Sequence, residues 1–300
     1  SLATTRAQFA HRAAVVGTDR EELLDGLRAL AAGMPAPGLV RGTTDRTGKT
    51  AFVFSGQGSQ RLGMGRDLYT HHPVFADALD TVLSHLPHGL RDIMWGTNPH
   101  LLNQTQHTQP ALFAYQTALH HLLTHHGLTP HYLIGHSIGE ITAAHVAGIL
   151  SLHDAATLVT ARAHLMQSTP THGAMAAIQA TPEEITPTLT PTVTIAAINS
   201  PTSLVISGDH DTVHTLTTHW KNQGRKTTPL HVSHAFHSPH MDDILNPFHT
   251  VTQNLTYHPP HTPIISTLTG QPATPTDLTT PQYWVDQLRN TVHFHHGTTA

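Results

Sequence analysis

The stretch that decides the fold is Tyr132-Leu133-Ile134-Gly135-His136-Ser137-Ile138-Gly139, which continues into the helix-like residues 140–145. An apolar strand that passes through G-x-S-x-G into a helix is typical of a nucleophile elbow, in which a strained turn lifts a serine above a sheet. Glycines flank the serine because such a turn leaves no room for side chains. A glycine-rich turn without chemistry is the alternative, since the chain contains 21 glycines. The strand-to-helix context favours Ser137 as a nucleophile, placed where free N–H groups can bind an oxyanion.

Composition sets broad limits on function. The chain has 300 residues, 38% of them hydrophobic, which suits one large or two smaller globular domains with a buried core. A net charge of -4 with 11% charged residues offers no basic surface for nucleic acid or for a membrane. Cysteine is absent, which excludes disulfides and thiolate catalysis. Because no apolar run approaches the roughly 20 residues of a membrane span and no signal-type apolar core is present, a cytoplasmic location is the default expectation.

Histidine is frequent, with 30 copies spread along the whole chain. The strongest metal-site pattern is His231, His234, His237 and His240, which are spaced by three as on one side of a helix. Pro239 and the extended-looking residues before His231 argue against a helix there. No carboxylate or thiolate stands at ligand spacing from these histidines. We therefore expect no metal site and no bound cofactor.

The first 48 residues form a segment of their own in the sequence pattern. Periodicity predicts a helix over Ala3 to Ala14, a short strand over Ala14 to Val16, and a second helix that starts at an Asp19 cap and continues through Leu30. The prolines and glycine at 33–37 and the polar residues that follow mark a boundary. No catalytic pattern occurs in this segment.

Beyond the boundary, predicted strands and helices alternate. A strand over Ala51 to Phe54 enters a glycine-rich turn, and residues 110–170 predict a helix, a strand, the elbow and long helices. This order favours an α/β fold whose parallel sheet is covered on both faces. Residues 173–232 then follow the order β-α-β-β-α-β, which is typical of an inserted ferredoxin-like subdomain. The larger-domain pattern returns with a strand over Thr262 to Ser266 and a helix over Gln282 to Asn290.

Five stretches carry a family resemblance through their order along the chain. They are Phe54-Ser55-Gly56-Gln57-Gly58-Ser59-Gln60, Thr108-Gln109-Pro110-Ala111-Leu112, Gly135-His136-Ser137-Ile138-Gly139-Glu140, Arg162 with Leu165-Met166-Gln167, and His234-Ala235-Phe236-His237-Ser238-Pro239. Together they resemble malonyl-CoA:acyl-carrier-protein transacylases, and most closely the acyltransferase domains of modular type I polyketide synthases. The resemblance covers the chain from Ala51 onward. It is more specific than any single motif because all five stretches occur in the order found in these transacylases.

The resemblance implies a domain organisation. An α/β-hydrolase-like large subdomain with a parallel sheet is expected over residues 49–171 and 233–300, with the ferredoxin-like small subdomain over residues 172–232. Residues 1–48 resemble the linker between a ketosynthase and an acyltransferase. A flanking ketosynthase domain in the same megasynthase is therefore an expected partner.

The resemblance also implies roles for residues around the serine. His237 is expected to be the general base that takes the Ser137 proton, a task suited to imidazole near neutral pH. A backbone carbonyl near Gln287 is expected to orient His237, so no catalytic aspartate is needed. The N–H groups of Gln57 and Ile138 are expected to form the oxyanion hole. The alternative for the glycine-rich turn around Gln57 is a tight strand-to-helix connection.

Arg162 is expected to bind the free carboxylate of a malonyl group, because a planar guanidinium pairs well with a carboxylate. A buried cation would also disfavour acyl groups that leave it unpaired. The alternative is a helix-surface arginine in a salt bridge. His136 and Gln109 are expected beside the substrate.

The stretch His234-Ala235-Phe236-His237 indicates which acyl group is used. Relatives that use malonyl-CoA typically carry His-Ala-Phe-His where methylmalonyl-using relatives carry Tyr-Ala-Ser-His. The ring of Phe236 would fill the space that an α-methyl group needs. Ile138 agrees, because methylmalonyl-using relatives often have glutamine there. The alternative is that Phe236 is ordinary wall packing and that selection lies elsewhere.

These expectations combine into a ping-pong acyltransferase. Malonyl would pass from malonyl-CoA to Ser137, and then to the phosphopantetheine thiol of an acyl carrier protein. Nucleic acid and membranes are not expected as partners. One alternative is a serine thioesterase or esterase, which would need an acidic triad member and have no use for Arg162. The others are a methylmalonyl-selective acyltransferase and a docking module whose active site has decayed.

Overall fold

The computed structural model describes residues 7, 9–44, 48–169, 172–230, 232 and 234–300. The chain divides into two units, Ser1–Lys49 and Thr50–Ala300. In the first unit, strand β1 (His11–Val15) pairs antiparallel with β2 (Leu39–Thr43), and helix α1 (Arg20–Ala31) lies between them in sequence.

The helix predicted over Ala3 to Ala14 is wrong from His11 onward, because that segment is strand β1. Its alanines favour a helix locally, but pairing with β2, which begins 24 residues after the end of β1, overrides that preference. The earlier part of the predicted helix includes residues 3–6 and 8, which lie outside the described residues. The Asp19 cap is confirmed, since the Asp19 side chain accepts from the Glu22 N–H at 2.9 Å.

The second unit carries the remaining elements. Its helices are α2 (Arg66–His71), α3 (Pro73–Leu83), α4 (Leu90–Trp95), α5 (Pro99–Leu102), α6 (Thr105–His125), α7 (Gly139–Val146), α8 (Leu152–Ser168), α9 (Pro182–Ile185), α10 (His210–Asn222), α11 (Asp242–Thr252), α12 (Pro281–Arg289) and α13 (Phe294–Thr299). Its strands are β3 (Ala51–Phe54), β4 (Tyr132–Gly135), β5 (Gly173–Ile178), β6 (Val193–Ser200), β7 (Ser203–Asp209), β8 (Thr227–Pro229), β9 (Ile264–Ser266) and β10 (Gln271–Pro272).

The first sheet of this unit positions the serine. Its strand order is β10-β9-β4-β3, in which β4 pairs in parallel with both β3 and β9. Buried apolar side chains such as Leu133 and Ile134 make β4 a central strand. The predicted parallel α/β sheet is therefore confirmed, and the sequence did not predict the short antiparallel edge strand β10. Because carboxyl ends of parallel strands share one edge, Phe54 and Gly135 end side by side.

The second sheet has the order β6-β7-β5-β8, and each neighbouring pair is antiparallel. With α9 and α10, these strands follow the predicted order β-α-β-β-α-β of a ferredoxin-like subdomain. The two faces of β5 have different surroundings. Ala176 and Ile178 belong to an apolar core with Trp220 of α10, whereas Met175 and Ala177 line a cavity on the opposite face. The predicted subdomain junctions at 171–172 and 232–233 include residues outside the described ones and stay predictions.

Candidate active site

Ser137 occupies a strained turn between β4 and α7. Its φ of 52° lies in the left-handed region that non-glycine residues rarely adopt. The turn is tied down by hydrogen bonds from the His136 N–H to the Phe54 carbonyl at 2.9 Å and from the Glu140 N–H to the Ser137 carbonyl at 3.0 Å. A Cβ atom at Gly135 would overlap the backbone of Glu140, and one at Gly139 would overlap the Phe54 carbonyl. The predicted elbow is present, and its glycines are required by close backbone approach.

His237 lies directly beside the serine. Its Nε2 is 2.8 Å from Ser137 Oγ, and its Nδ1 is 2.9 Å from the Asn290 carbonyl oxygen. Because a carbonyl oxygen only accepts, Nδ1 carries the proton and Nε2 presents a lone pair to the serine hydroxyl. Thr194 Oγ1 donates to the His237 carbonyl at 3.0 Å. Among the described residues, Ser137 and His237 are the only non-glycine residues with positive φ, so both partners of this contact sit on strained backbone.

The residue expected to orient His237 was wrong. Asn290, the C-cap of α12, supplies the carbonyl, because the last carbonyls of a helix have no partner within it. Gln287 lies about one turn earlier on α12. Its side-chain Nε2 donates to the Ser137 carbonyl at 2.8 Å and to Glu140 Oε2 at 3.3 Å. Gln287 therefore contacts the serine's own backbone rather than the histidine ring.

Arg162 projects from α8 and is 1% exposed. Its Nη1 donates to Gln109 Oε1 at 2.8 Å, and its Nη2 donates to Ser137 Oγ at 3.1 Å. The guanidinium forms no ion pair with a carboxylate of the described residues, and its Nε has no acceptor among them. The alternative of a surface salt bridge is thus wrong. A buried cation without a counter-ion contact favours an anionic ligand.

The electrostatics of the site follow from burial. Burial lowers the pKa of His237 to about 3, and the positive charge of Arg162 adds to this effect. Burial also lowers the pKa of Arg162 to about 10, against the opposing influence of Glu140. The imidazole is therefore neutral and the guanidinium charged near neutral pH. In this state the histidine can accept a proton while the arginine holds an anion.

The backbone around the serine offers free donors. In the part of the chain that the structure describes, the N–H groups of Gln57 and Ile138 have no hydrogen-bond acceptor. Ile138 precedes the first residue of α7, so its N–H also lies at the positive end of a helix dipole. The Gln57 side chain is held separately by Thr105 Oγ1 at 3.2 Å and by Gln109 Nε2 at 3.4 Å. Two such donors beside a nucleophile can stabilise an oxyanion.

A cavity of about 520 Å³ opens onto the serine. Residues expected to act in the site line it, namely Gln57, Gln109, His136, Ser137, Arg162, Phe236 and His237. Ile138 and Gln287 are not among the lining residues. Much of the remaining wall is apolar and comes from the second sheet, with Met175, Ala177, Ala196 and Val205 as examples. The cavity thus joins a reactive serine and a buried cation to an apolar chamber, which suits a short acidic acyl group on a longer carrier.

Comparison with known proteins identifies the family. The acyl transferase domain family matches residues 51–300. The chain belongs to this acyltransferase family. The spectinabilin polyketide synthase system protein NorB of Streptomyces orinoci is 50% identical over 311 residues, which cover 100% of this chain and 14% of NorB. The chain thus spans a small part of that relative.

Solved structures agree with the family assignment. The acyltransferase domain from the second module of the salinomycin polyketide synthase has a TM-score of 0.85 and 46% identity, with coverage of 96% of this chain and 69% of that one. The malonyl-CoA:acyl carrier protein transacylase of Xanthomonas oryzae pv. oryzae has a TM-score of 0.78 and 34% identity, with coverage of 85% and 84%. The predicted enzyme class and fold class are therefore confirmed.

The histidines proposed as a metal pattern have other partners in this acyltransferase. His231 lies outside the described residues. His237 bonds to Ser137 and Asn290, and His240 Nε2 lies 2.7 Å from Asp209 Oδ1. The described residues contain no group of three or more His, Asp or Glu that could hold a metal ion. They also include no helix long and apolar enough to cross a membrane.

Two acyltransferase residues at the cavity were not predicted as site residues. Asn199 Oδ1 accepts from His136 Nε2 at 3.0 Å, which ties the end of β6 to the residue before the serine. The available sequence signal for Asn199 was an asparagine near the end of an apolar strand. Phe294 packs against His136 at 5.3 Å between ring centroids and also lines the cavity. Burial lowers the pKa of His136, so its ring is neutral.

Proposed function

We propose that this acyltransferase transfers malonyl from malonyl-CoA to the phosphopantetheine thiol of an acyl carrier protein, through a malonyl ester of Ser137. The observation that carries the proposal is the buried guanidinium of Arg162, 3.1 Å from Ser137 Oγ and without a carboxylate partner among the described residues. A carboxylated acyl group supplies the missing anion. An acetyl group would leave the cation unpaired in an apolar chamber.

In the first half-reaction, His237 Nε2 removes the hydroxyl proton as Ser137 Oγ attacks the thioester carbonyl carbon. The carbonyl oxygen becomes an oxyanion that accepts from the N–H groups of Gln57 and Ile138. The carbon–sulfur bond then breaks. Coenzyme A leaves as a thiol with the proton from His237, and Ser137 carries a malonyl ester.

In the second half-reaction, the phosphopantetheine thiol gives its proton to His237 and attacks the ester carbonyl. The same N–H groups receive the new oxyanion. When the ester carbon–oxygen bond breaks, Ser137 Oγ takes the proton back from His237. The apolar wall limits access of water to the ester, which favours transfer over hydrolysis.

Selection of malonyl over methylmalonyl is assigned to Phe236. Its side chain is 6% exposed, lines the cavity and stacks at 6.0 Å between ring centroids against buried His234. A ring held in this way cannot move aside for an α-methyl group without disturbing a packed core. The side chain of Ile138 is 1% exposed and does not line the cavity, so its contribution is to the core beneath the turn.

The setting proposed for this domain is a polyketide synthase. NorB is a polyketide synthase system protein many times longer than this chain. Residues 1–48 resemble a linker to a ketosynthase, and the proposed partners are that flanking ketosynthase and an acyl carrier protein. In this proposal the chain is one domain of a multidomain synthase.

The main competing function is a serine thioesterase, which would share Ser137 and His237. In such an enzyme a carboxylate accepts the hydrogen bond from the histidine Nδ1, whereas the acceptor here is the Asn290 carbonyl oxygen. It would also have no use for a buried Arg162. A decayed docking module is disfavoured because the base and the arginine each stand within hydrogen-bond distance of the nucleophile.

Intact-mass measurement separates these functions. We expect a stable malonyl adduct after mixing with malonyl-CoA, its discharge by a holo acyl carrier protein, and no adduct on Ser137→Ala. Competition between malonyl-CoA and methylmalonyl-CoA should give mainly the malonyl adduct. Release of free malonate without a carrier protein would indicate a thioesterase, and no reaction at all would indicate a decayed module. Equal adducts from both thioesters would contradict the selectivity assigned to Phe236.

A further inference from the structure

Glu140 is a fully buried carboxylate three residues after Ser137, at the start of α7. It accepts four hydrogen bonds: from the Thr267 N–H at 3.2 Å, from Thr267 Oγ1 at 2.7 Å, from the Tyr283 hydroxyl, and from Gln287 Nε2 at 3.3 Å. Burial raises the pKa of Glu140, and the hydrogen bonds from Thr267, Tyr283 and Gln287 oppose this rise because they stabilise the ionised form. So complete a set of donors around one carboxylate indicates a specific structural task.

Two of these donors lie on one face of α12. Tyr283 and Gln287 are four residues apart, so their side chains are neighbours on the helix surface. The next residue after α12 is Asn290, whose carbonyl holds His237 Nδ1. One carboxylate therefore joins the helix that begins at the nucleophile to the helix that ends at the carbonyl orienting the base.

Gln287 connects Glu140 directly to the backbone of Ser137. Its Nε2 donates to Glu140 Oε2 and also to the Ser137 carbonyl at 2.8 Å, on the residue with a φ of 52°. Thr267 lies against the other side of the turn: its one hydroxyl proton is donated to Glu140 Oε2 at 2.7 Å, and its Oγ1 is also 3.0 Å from the Gly135 carbonyl oxygen, which competes for that proton. Glu140 therefore connects to the strained turn through Gln287, and Thr267 packs against the opposite side of that turn.

Glu140 does not line the cavity, so it contacts neither substrate nor the reacting atoms. We propose that Glu140 is a positioning residue that acts through Gln287 to set the geometry between Ser137 Oγ and His237 Nε2. This inference rests on the proposed roles of Ser137 and His237. It extends the proposed function by assigning a buried residue that holds the backbone around Ser137 and His237 in place.

The substitution Glu140→Gln tests this role with little change in shape. The amide keeps only one accepting oxygen, so either Gln287 Nε2 and Thr267 Oγ1 or the Tyr283 hydroxyl and Thr267 N–H lose their acceptor. In both cases a contact that holds α12 against the serine turn is weakened. Because small misplacements of reacting groups cost about 100-fold, we expect the acylation rate at saturating malonyl-CoA to fall by roughly 10- to 100-fold. The KM for malonyl-CoA should change by less than about 2-fold, because the arginine and cavity are untouched.

A double-mutant cycle separates positioning from general stability. Gln287→Met should lower the same rate constant to a similar extent, and Glu140→Gln/Gln287→Met should be little worse than either single variant. Glu183→Gln, which removes an exposed carboxylate of α9, is the matched control and should keep the wild-type rate. Circular dichroism and thermal melting check folding, and Gln287→Met keeps the test open if Glu140→Gln does not fold.

A second measurement needs no acyl-CoA. Labelling of Ser137 by a fluorophosphonate reports the reactivity of the serine–histidine pair alone, and it should slow in both variants. If wild-type protein is labelled but forms no malonyl ester, the proposed function fails while the labelling still tests Glu140. Three results would each overturn the positioning role. They are a wild-type rate in folded Glu140→Gln, additive losses of rate in the double-mutant cycle, and a rise in KM without a fall in rate.

Discussion

Arg162 Nη2 lies 3.1 Å from Ser137 Oγ, and the same oxygen lies 2.8 Å from His237 Nε2. A buried cation therefore adjoins the nucleophile and stands close to its base. This relationship has two consequences. In the proposed function the cation selects which acyl group resides beside the serine. Its charge also adds to burial in lowering the pKa of the histidine.

Arg162→Ala should weaken transfer of malonyl and strengthen transfer of acetyl. A hydrogen bond to a charged group contributes about 1.5–3 kcal/mol, so kcat/KM for malonyl-CoA should fall by about 10- to 150-fold. Acetyl-CoA no longer leaves a buried guanidinium unpaired, so its rate should rise. Steady-state transfer to a carrier protein with each thioester measures both changes.

Arg225→Ala is the matched control for this prediction. Arg225 is a partly exposed arginine paired with Glu184, and its removal should leave both rates unchanged. Full malonyl transfer by Arg162→Ala without any gain in acetyl transfer would show that the arginine does not hold the acyl carboxylate.

The pH dependence should reflect a base that stays neutral. Since the pKa of His237 is lowered from 6.5 to about 3, its proton-accepting form persists as the pH falls through the ordinary histidine range. Fluorophosphonate labelling of Ser137 should therefore stay nearly constant across about pH 5 to 8. Arg162→Ala removes one cause of the lowered pKa, so the acid limb of its profile should move to higher pH. It should remain below 6.5 because burial is the larger cause.

The labelling rate at each pH, corrected for the folded fraction, gives this profile. Arg225→Ala again serves as control and should reproduce the wild-type curve. An acid limb near 6.5 in the wild-type protein would mean that water reaches His237 more freely than its burial implies.

Local chemistry explains which parts of the site could be predicted from sequence. The turn at Ser137 depends on the glycines two residues to either side and on the flanking strand and helix, so the motif in its strand-to-helix context predicts its geometry. His237 could not be chosen from composition among 30 histidines, and only the order of the five stretches identified it. Its φ of 54° has no sequence signature, because a histidine seldom adopts that conformation.

Contacts between distant residues explain what could not be predicted. The carbonyl that orients His237 belongs to the backbone of Asn290, and a backbone acceptor carries no side-chain signal. Glu140 is separated from Tyr283 by 143 residues, so its surroundings are set by tertiary packing. The first strand is a third example: residues 11–14 have a helical sequence pattern, and their pairing with β2 makes them a strand.

Phe236→Ser should relax discrimination against methylmalonyl-CoA. Phe236 lines the cavity, so removing its ring enlarges the cavity, and under the proposed function this leaves room for an α-methyl group. We expect the ratio of kcat/KM values for methylmalonyl-CoA and malonyl-CoA to rise by roughly 10- to 100-fold. Competition between the two thioesters, resolved by intact mass of the acyl-enzyme, measures this ratio.

Phe248→Leu, a buried core change in α11 outside the cavity, is the control and should leave the ratio unchanged. An unchanged ratio in Phe236→Ser would place selection elsewhere in the wall.

Gly135→Ala should destabilise the second unit through the turn itself. The new Cβ would overlap backbone atoms of Gly139 and Glu140, which cannot rotate away, so the free energy of unfolding should fall by about 3 kcal/mol. Gly127→Ala is the matched control, because its Cβ meets no atom within 4 Å and only the left-handed φ of 83° opposes it. That variant should lose about 1 kcal/mol. Urea unfolding followed by tryptophan fluorescence compares the two, and equal losses would mean that the turn shifts to accommodate the new Cβ, so that close approach does not require glycine at position 135.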